Sequence, residues 1–384
     1  MEKHLSVIEF TQKNIRLLTG YENNGQLYVM QALESEDLTI ENGLPAAREA
    51  TDSLLTLINT AKQSCNVDIG PYVLLVPPVE FKTAEVNGFS ATASMSDTLT
   101  IDDYNACAAR AFKSSTSGKE RTIFSAPFIF EIDDRQKFKD FPVNVKAKNM
   151  SANFDTIVIN ADNYEFYKSI LKNCGIVSSL DCISSFTGAK LIEKYLPDSS
   201  YLLLELQKEY SYLTYMNNGR IKFSIILDHS LETVVKAAGK KLNVDFERAN
   251  YFLNTFAFFA PVGGYEYYTD ENLTLTEVRN VLMNSFRDIA IDIQKAIEAN
   301  DIASTVPLVI SGPGATIDEI AGLFSHLLAR DSKAFLPHIF GAQDEVYVDS
   351  LGAIYMSNFP YLDIPVQGRK ISLNNQLRSA GFDR

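Results

Sequence analysis

The sequence has few of the residues that build metal and redox sites. Its 384 residues include four cysteines and four histidines, with no CxxC pair and no histidine at a zinc-ligand spacing from a cysteine. These absences argue against a zinc cluster or a redox dithiol, and this use of cysteine fits a reduced cytosol. The chain also lacks tryptophan, an absence that excludes no class of protein.

Long apolar runs and positive charge are scarce as well. No window approaches the roughly 18 apolar residues of a membrane span, and the first 14 residues, MEKHLSVIEFTQKN, contain no signal-peptide core. The chain has 35 Lys and Arg against 48 Asp and Glu, a net charge of −13. This charge repels phosphate backbones and argues against nucleic acid as a partner. We expect a soluble intracellular protein.

The composition is that of a globular chain, and the order of its patterns repeats. Residues 6–33 and 201–227 both contain an apolar run, a polar reversal, an alternating run, an Asn-Gly pair and a third run. The pairs Asn24-Gly25 and Asn218-Gly219 favour tight hairpins, because both residues of such a turn need a positive φ. Each copy is therefore predicted to be a three-stranded meander. Two copies indicate a duplicated fold.

Helical patterns follow both meanders. In residues 44–64 the spacing of Ala47, Leu54, Leu55, Ile58 and Ala61 is typical of an amphipathic helix. A weaker pattern covers 231–241, and another helix is predicted from residue 246. Elsewhere we predict strands at 72–77, 123–130, 155–160 and 306–310, a turn at 87–88, and helices at 101–112, 164–173, 275–299 and 317–329. This alternation indicates α/β lobes with mixed sheets.

One turn allows two interpretations. Ser311-Gly312-Pro313-Gly314-Ala315 lies between a predicted strand and a predicted helix. Such a turn brings main-chain N–H groups and a helix N-terminus close to a nucleotide. Glycine also serves ordinary strand-to-helix turns, so the motif alone decides nothing. His229, beside Asp228, is similarly a candidate base or a turn residue bonded locally, and we expect the second.

The order of these elements resembles the actin/Hsp70 ATPase superfamily, and within it the bacterial FtsA cell-division family, over about residues 5–357. The segment 72–154 resembles the subdomain inserted in the first lobe of FtsA. The type IV pilus family PilM shares that subdomain and is the nearest alternative; the predicted turn and helix between Asn87 and Phe112 favour FtsA. Aligned on the family's nucleotide motifs, this chain has at those positions Glu9, Thr11, Gln12 and Arg16, then Glu205, Gln207 and Lys208, then Gly312, Pro313 and Gly314.

The resemblance implies an α/β, two-lobed actin-like (ribonuclease H-like) duplicated fold with an FtsA-type inserted subdomain in the first lobe. The implied first lobe comprises residues 1–71 and 155–198, and the inserted subdomain comprises 72–154. The second lobe comprises 199–236 and 304–370, with a small subdomain at 237–303 and a tail at 371–384.

The departures from the family pattern bear on activity. In the family, glycines let main-chain N–H groups touch the phosphates. Here Thr11, Gln12, Gln207, Lys208 and Glu209 occupy those places. A charge-assisted hydrogen bond contributes about 1.5 to 3 kcal/mol, so losing three or four carries a micromolar site beyond millimolar. We predict a degenerate nucleotide cleft, no catalytic residue and no cofactor, with ATP and Mg²⁺ bound only if the cleft is still competent.

The resemblance implies an actin-like scaffold of bacterial cell division, and the departures predict that it is non-catalytic or only weakly nucleotide-binding. Such a protein self-associates into filaments and links FtsZ polymers to the membrane or to membrane division proteins, at the inner face of the cell membrane at the division site. The tail 371–384 has too few apolar side chains for stable membrane binding. Membrane attachment is thus expected through a missing anchor or a partner. The alternatives are an active ATPase with nucleotide-gated polymerisation and a PilM-like pilus assembly adaptor.

Overall fold

The structure is a computed structural model, and its chain divides into two units. Unit 1 comprises residues 4–187 and 350–356 of the described chain, and unit 2 comprises Gly188–Asp349. The tail predicted over 371–384 lies outside the described residues. Residues are described over the ranges 4–65, 69–79, 81–93, 96–114, 118–133, 135–142, 145–196, 200–256, 258–259, 269–337, 339, 341 and 345–356.

Unit 1 begins with the first predicted meander, which is confirmed. At its hairpin turn, Asn24 has a φ of 51° and Gly25 a φ of 81°, as an Asn-Gly turn requires. A second, shorter hairpin follows and leads into a helix. These elements are β1 (Leu5–Phe10), β2 (Ile15–Asn23), β3 (Gln26–Glu34), β4 (Ile40–Glu41), β5 (Leu44–Pro45) and α1 (Ala47–Cys65).

The apolar face of α1 differs in part from the predicted stripe. Leu54, Ile58 and Ala61 are buried, as predicted. Ala47 is exposed, so its place in the stripe was wrong. The helix begins only at Ala47 because the residues before it, including Pro45, pair with β4 in the short hairpin.

The rest of unit 1 forms a second sheet and completes the first. The first sheet has the order β11-β6-β1-β2-β3, with β6 parallel to β1 and β11, and the second has the antiparallel order β7-β10-β8-β9. The chain leaves the unit within α4. The elements are β6 (Tyr72–Val76), β7 (Phe81–Ala91), α2 (Ile101–Ser114), β8 (Glu120–Ile132), β9 (Gln136–Phe138), β10 (Asn149–Asn160), α3 (Ala161–Asn173), β11 (Ser178–Ile183) and α4 (Ser184–Tyr195).

The turn predicted at residues 87–88 was wrong. Asn87 and Gly88 lie inside β7 and pair with Asn153 and Ala152 of β10. A side chain at position 88 would overlap the main-chain carbonyl of Cys107 on α2. The glycine therefore serves a close approach of helix and strand, and one of the two features that favoured FtsA over PilM is absent.

Unit 2 contains the second predicted meander, also confirmed, with φ angles of 52° at Asn218 and 74° at Gly219. Its sheet has the order β14-β13-β12-β15-β16, with the meander antiparallel and β15 and β16 parallel. The elements are β12 (Ser200–Leu206), β13 (Ser211–Asn217), β14 (Arg220–Ile226), α5 (Leu231–Leu242), α6 (Phe246–Thr255), α7 (Leu275–Ser285), α8 (Arg287–Ala299), β15 (Leu308–Ser311), α9 (Ile320–Leu328) and β16 (Ser332–Ala334). The last helix, α10 (Val348–Met356), begins in unit 2, and its residues from Ser350 onward belong to unit 1.

The two five-stranded sheets have the same topology. Each consists of an antiparallel meander and two further strands. The first strand of the meander pairs in parallel with one of these, which pairs in parallel with the other. The duplication predicted from the repeated patterns is therefore present in the strand order of both units. No helix in the described part of the chain has the length and apolar character needed to cross a membrane.

The prediction of a single helix over 275–299 was wrong, because the helix is interrupted at Phe286, between α7 and α8. Phe286 is fully buried, and its ring packs edge-on against Phe258 and Phe324, with centroids 5.5 and 5.9 Å away. The two helices turn about this side chain. Two other boundaries also shift: the strand predicted at 306–310 covers 308–311, and the last helix predicted in unit 2 begins at Ile320.

Candidate functional site

The ten residues predicted from the nucleotide motifs fall into two groups, one in each unit, and each group is described by itself. Glu9, Thr11, Gln12 and Arg16 lie around the turn between β1 and β2 in unit 1. The remaining six lie in unit 2, around the turn between β12 and β13 and directly after β15.

The turn after β1 is closed by its own side chains. The Thr11 hydroxyl donates to Asn14 Oδ1 at 2.7 Å and accepts from the main-chain N–H groups of Lys13 and Asn14 at 3.2 and 2.9 Å. The N–H of Thr11 itself donates to the Asn14 carbonyl at 3.0 Å. Three main-chain donors of this turn are thus bonded within it, in the place where the family motif presents N–H groups to a phosphate.

Glu9, at the end of β1, is a buried carboxylate held by this chain's own donors. Arg16 Nη1 lies 3.3 Å from Glu9 Oε1, and the Ser350 hydroxyl donates to Glu9 Oε2 at 2.6 Å. Arg16 Nε also contacts Glu34 Oε1 at 2.9 Å. Burial raises the pKa of the Glu9 carboxyl above its ordinary value, although Arg16 and the Ser350 hydroxyl act to lower it. Both carboxylate oxygens have protein partners.

In unit 2, Glu205 is the second-last residue of β12 and is 2% exposed. It lies beside Ser311 of β15 and opposite Tyr212 of β13 in the sheet. In the following turn, the N–H of Gln207 donates to the Tyr210 carbonyl at 3.1 Å. The ammonium of Lys208 lies 3.6 Å from the carboxylate of Glu209 and is largely exposed.

The carbonyls of this turn bond to the first turn of α5. Leu231 N–H donates to the Gln207 carbonyl at 3.2 Å, and Glu232 N–H donates to the Lys208 carbonyl at 2.8 Å. The N–H of Ser230, directly before α5, donates to the Thr233 hydroxyl at 2.8 Å. The N–H groups that make a helix N-terminus attractive to an anion are therefore bonded to protein here.

Two side chains cover the glycine-rich turn after β15. They are Leu206, at the end of β12, and Gln207, in the turn between β12 and β13. A Cβ placed on Gly312, whose φ is 76°, would lie 3.1 Å from Gln207 Nε2. A Cβ on Gly314 would lie 2.7 Å from the Cβ of Leu206. Pro313 opens a short 3-10 turn, Pro313–Thr316. The two glycines thus make room for Leu206 and Gln207.

The helix predicted to begin at residue 317, directly behind this turn, does not start there. α9 begins at Ile320 and is preceded by Asp318 and Glu319. The Glu319 carboxylate accepts a hydrogen bond from the N–H of Phe259 at 2.7 Å. Two acidic side chains already lie at this N-terminus, and they disfavour the binding of an anionic ligand there.

His229 bonds at long range and not within its own turn, so the expectation of a local bond was wrong. Its Nδ1 lies 2.7 Å from Asp292 Oδ2 on α8. Lys295 Nζ contacts the other oxygen of Asp292 at 3.2 Å. The histidine therefore ties the segment before α5 to α8. Among the described residues, no group of three or more His, Cys, Asp or Glu side chains is arranged to hold a metal ion.

A cavity of about 520 Å³ lies within unit 1. The predicted site residues Thr11 and Gln12 form part of its wall, while the rest of the wall was not predicted. The Asn-Gly pair at 42–43 was the available signal, since it marks a further hairpin. The lining residues are Thr11, Gln12, Lys13, Ile40, Asn42, Gly43, Leu44, Pro45, Val76, Pro77, Val79, Ile159, Asn163 and Tyr167.

One wall of the cavity, α3, is fixed to the first sheet by a buried polar network. Asp181 on β11 accepts hydrogen bonds from the Tyr164 hydroxyl at 2.5 Å and from the Lys168 ammonium at 3.0 Å. The Lys168 ammonium also donates to the Ser178 hydroxyl at 2.6 Å, and that hydroxyl donates to Asp181. Tyr167, on the same helix, packs against Phe10 with ring centroids 5.0 Å apart.

The chain is similar to known proteins in its structure but not in its sequence. No protein-family model matches the chain, and no curated protein matches it by sequence. A structure of the PilM–PilN type IV pilus biogenesis complex is 12% identical and has a TM-score of 0.60, covering 94% of this chain and 99% of that one. The ethanolamine utilization protein EutJ from Carboxydothermus hydrogenoformans is 10% identical with a TM-score of 0.54, covering 92% and 90%.

A third similar structure contains a nucleotide. MreB5 of Spiroplasma citri bound to ADP is 12% identical with a TM-score of 0.52, covering 92% of this chain and 96% of that one. Together with the duplicated sheets, these likenesses show that the chain has the two-lobed actin-like α/β fold, as predicted. At such identities they show the fold alone. The likeness to PilM fits the alternative named from the sequence, while the assignment to FtsA stays a prediction.

Proposed function

We propose that this chain is an actin-like scaffold that acts by docking other proteins and does not turn over a nucleotide. The observation that carries the proposal is the covering of Gly312 and Gly314 by Gln207 and Leu206. The resemblance aligns this turn with the family's adenosine motif, where a nucleotide lies against bare main chain, and here two side chains stand against it. The residues of unit 2 therefore do not fit a nucleotide.

The surroundings of this turn support the same conclusion. The first N–H groups of α5 bond to the carbonyls of Gln207 and Lys208, so a phosphate would have to displace protein hydrogen bonds. Glu205 is buried close by, and its carboxylate, when ionised, repels a phosphate. In unit 1, the Thr11 hydroxyl similarly accepts hydrogen bonds from the main-chain N–H groups of Lys13 and Asn14 in its own turn.

Isothermal titration calorimetry with ATP and ADP, each with and without Mg²⁺, tests the proposal. We expect no saturable heat at micromolar nucleotide. Saturable micromolar binding would support the rival hypothesis of an active ATPase with nucleotide-gated polymerisation. Gln207→Gly serves as a matched variant: if Gln207 covers the turn, its removal should strengthen any residual binding.

The finer proposal places the scaffold in bacterial cell division. Its support is the FtsA-like order of elements together with the actin-like fold. In this role the chain self-associates, uses residues 72–154 for protomer contacts and about 237–303 for the tail of FtsZ, and works in the cytoplasm at the inner face of the membrane. A pull-down with an immobilised FtsZ tail peptide tests this: retention supports the division role, and no retention at high protein concentration contradicts it.

A PilM-like adaptor is the second candidate, and two observations favour it. The structure with a TM-score of 0.60 is a complex of PilM with PilN, and unit 1 contains a cavity of about 520 Å³. Pockets of this size are large enough to bury a few side chains of a short segment. A pilus adaptor should ignore the FtsZ tail and retain a peptide from the cytoplasmic end of a pilus membrane protein. The same pull-down, run with both peptides, separates the two roles.

A further inference from the structure

The sequence contains four Asn-Gly pairs, and the structure places them in different surroundings. They are Asn24-Gly25, Asn42-Gly43, Asn87-Gly88 and Asn218-Gly219. Such a pair is able to react with itself, because the main-chain nitrogen of the glycine lies within reach of the asparagine side-chain carbon and has no Cβ beside it. Whether a pair reacts in the folded chain depends on how firmly the surrounding structure holds its backbone and that nitrogen.

Asn42 and Gly43 form the exposed tip of the β4–β5 hairpin. Among the described residues, neither the Asn42 side chain nor the Gly43 N–H has a hydrogen-bond partner. A Cβ added at Gly43 would meet no described atom within 4 Å, so the space around this residue is open. The nitrogen and the carbon that must meet are therefore restrained by the hairpin alone.

This hairpin is the weakest of those that carry an Asn-Gly turn in the described structure. β4 and β5 are two residues long and pair only with each other, through Ile40–Pro45 and Glu41–Leu44. A two-stranded hairpin alone is at best marginally stable in water. The reaction closes a five-membered ring that the turn conformation does not allow, so the turn must open first. Opening costs little here, because few contacts oppose it.

The base of the hairpin is attached, which confines this opening to residues 40–45. The N–H of Thr39 donates to the Glu49 carboxylate at 2.9 Å. The N–H of Ala46 donates to the Thr39 carbonyl at 2.8 Å. The turn is thus able to open without unfolding the helix that follows it.

The pair Asn24-Gly25 has the same turn geometry in a stronger setting. Gly25 has a φ of 81° and Gly43 a φ of 82°, but the turn at Gly25 joins two nine-residue strands of a five-stranded sheet. The N–H of Gly25 also donates to the Glu22 carboxylate. A negative charge on this N–H disfavours the loss of its proton, which the attack requires.

The other two pairs are restrained as well. The Asn218 side-chain amide donates to Asn217 Oδ1 at 2.7 Å, and the turn joins two seven-residue strands of the unit 2 sheet. Asn87 lies inside β7, opposite Asn153 of β10, and its side-chain amide donates to Asn153 Oδ1 at 2.7 Å. Reaction at either pair requires breaking part of a larger sheet.

We propose that Asn42 is a modification site, at which the chain converts without an enzyme to isoaspartate and aspartate. The Gly43 nitrogen loses its proton to the solvent and forms a bond to Asn42 Cγ. The bond between Cγ and Nδ2 breaks, and the nitrogen takes up a proton and leaves as ammonia. Water then opens the succinimide ring, at the main-chain carbonyl to give isoaspartate or at Cγ to give aspartate. In total one water is consumed and one ammonia is released.

Both products alter a wall of the unit 1 cavity, which Asn42 and Gly43 help to line. Each product places a new negative charge at residue 42. Isoaspartate also adds a carbon to the main chain, so the two-residue turn that pairs Glu41 with Leu44 loses its geometry. We therefore expect β4 and β5 to separate in the isoaspartate form.

Peptide mapping by mass spectrometry over time tests the site, in the folded full chain and in the same chain unfolded in guanidinium chloride. A Glu-specific protease releases the four pairs in four different peptides. The ratio of the unfolded to the folded rate at each pair measures its restraint, because the effect of neighbouring residues on the chemistry cancels. We expect similar rates in both states at Asn42 and roughly tenfold or greater slowing by the fold at the other three pairs.

Two results would overturn the proposal: slowing at Asn42 as strong as at Asn24, or no conversion at Asn42 in the folded chain. Asn42→Gln is the matched variant, because its longer side chain must close a less favourable six-membered ring. It should abolish conversion at residue 42 and leave the other three rates unchanged. Conversion assigned to residue 42 that persists in this variant would contradict the assignment.

Hydrogen exchange on the millisecond scale tests the loss of the hairpin. Asn42→Asp carries the new charge without the additional main-chain carbon, so residues 40–45 should exchange as in the unaltered chain. The isoaspartate form, purified from the aged protein by ion exchange, should exchange faster at residues 40–45 and equally at residues 22–28. Equal exchange of all three samples at 40–45 would overturn the separation of β4 and β5.

Discussion

At the residue scale, unit 1 contains a charge network where the family motif would receive a phosphate. Glu9 and Arg16 are both buried and lie 3.3 Å apart. A buried ion pair adds little net stability, but removing one partner leaves an uncompensated charge. The pair is therefore costly to break, and the cost should depend on pH through Glu9.

The first prediction concerns Arg16→Met. At pH 8 the variant should lose roughly 3 to 5 kcal/mol of unfolding free energy, because the Glu9 carboxylate stays buried without its guanidinium. Removing Arg16 removes the main influence that lowers the Glu9 pKa, so the already raised pKa rises further. The folded state then binds a proton more readily than the unfolded state, and the loss should shrink as pH falls from 8 to 6.

Chemical denaturation followed by circular dichroism measures this loss at each pH. Arg48→Met is the control, since the Arg48 side chain is 97% exposed in its pair with Asp52; we expect a change within about 0.5 kcal/mol. A loss in Arg16→Met that grows toward pH 6 would contradict the assigned role of Glu9.

A second prediction tests why position 314 is glycine. Gly314→Ala should destabilise the protein by roughly 1 to 3 kcal/mol, because the added Cβ overlaps Leu206. Leu206→Ala also destabilises, by loss of a buried side chain. If the overlap is the cause, the double variant should cost less than the sum of the two.

A double-mutant cycle by thermal or chemical denaturation gives this coupling. Gly118→Ala is the control, because a Cβ added there would meet no described atom within 4 Å, and it should be nearly neutral. Strict additivity of Gly314→Ala and Leu206→Ala would rule out steric overlap as the reason for the glycine.

At the residue scale, the sequence predicted only part of the candidate nucleotide site. It predicted that side chains replace glycines at positions 11, 12, 207, 208 and 209. It did not predict that Gln207 and Leu206 would stand against Gly312 and Gly314. This contact joins residues about a hundred positions apart in the sequence, and a local sequence pattern does not predict contacts over such a separation.

At the scale of elements, strands with local turn signals were predictable and helix interruptions were not. The two meanders follow from alternating apolar residues and from Asn-Gly pairs whose preferences are local. The break between α7 and α8 depends on Phe286 inserting between Phe258 and Phe324, which are distant in sequence. The same reason explains Gly88, whose surroundings are set by α2 and not by its neighbours in the chain.

A third prediction concerns the attachment of α3 to the first sheet. Tyr164→Phe removes one donor to the buried Asp181 carboxylate, and a buried acceptor that loses a charge-assisted bond costs roughly 1.5 to 3 kcal/mol. Burial and the neighbouring Asp181 raise the pKa of Tyr164, so the hydroxyl stays a donor at all working pH values.

Denaturation at pH 7.5 measures this cost, with Tyr28→Phe as the control. The Tyr28 hydroxyl donates to the exposed Gln26 side chain, so its removal should change stability by less than about 0.5 kcal/mol. Because Tyr167 on α3 lines the cavity, Tyr164→Phe should also weaken peptide binding. Equal stability of both variants would mean that the Asp181 network does not fix α3.

At the scale of the whole molecule, duplication and net charge are the two properties the sequence determines most directly. The two sheets have one topology, which the repeated patterns predicted. The charge of −13 belongs to every copy, so copies of this chain repel one another at long range. Self-association, which the scaffold proposal requires, must overcome this repulsion through short-range contacts.

The fourth prediction follows from this balance. Raising NaCl from 0.1 to 1 M shortens the screening length from about 10 to about 3 Å, so self-association measured by sedimentation equilibrium should strengthen. Arg48→Glu makes the net charge more negative at a highly exposed position; it should weaken association at 0.1 M and match the unaltered chain at 1 M, where charges are screened. Weakening of the unaltered chain by salt would show instead that opposite charges hold the copies together, and a variant that differs from it equally at both salt concentrations would place Arg48 inside the contact.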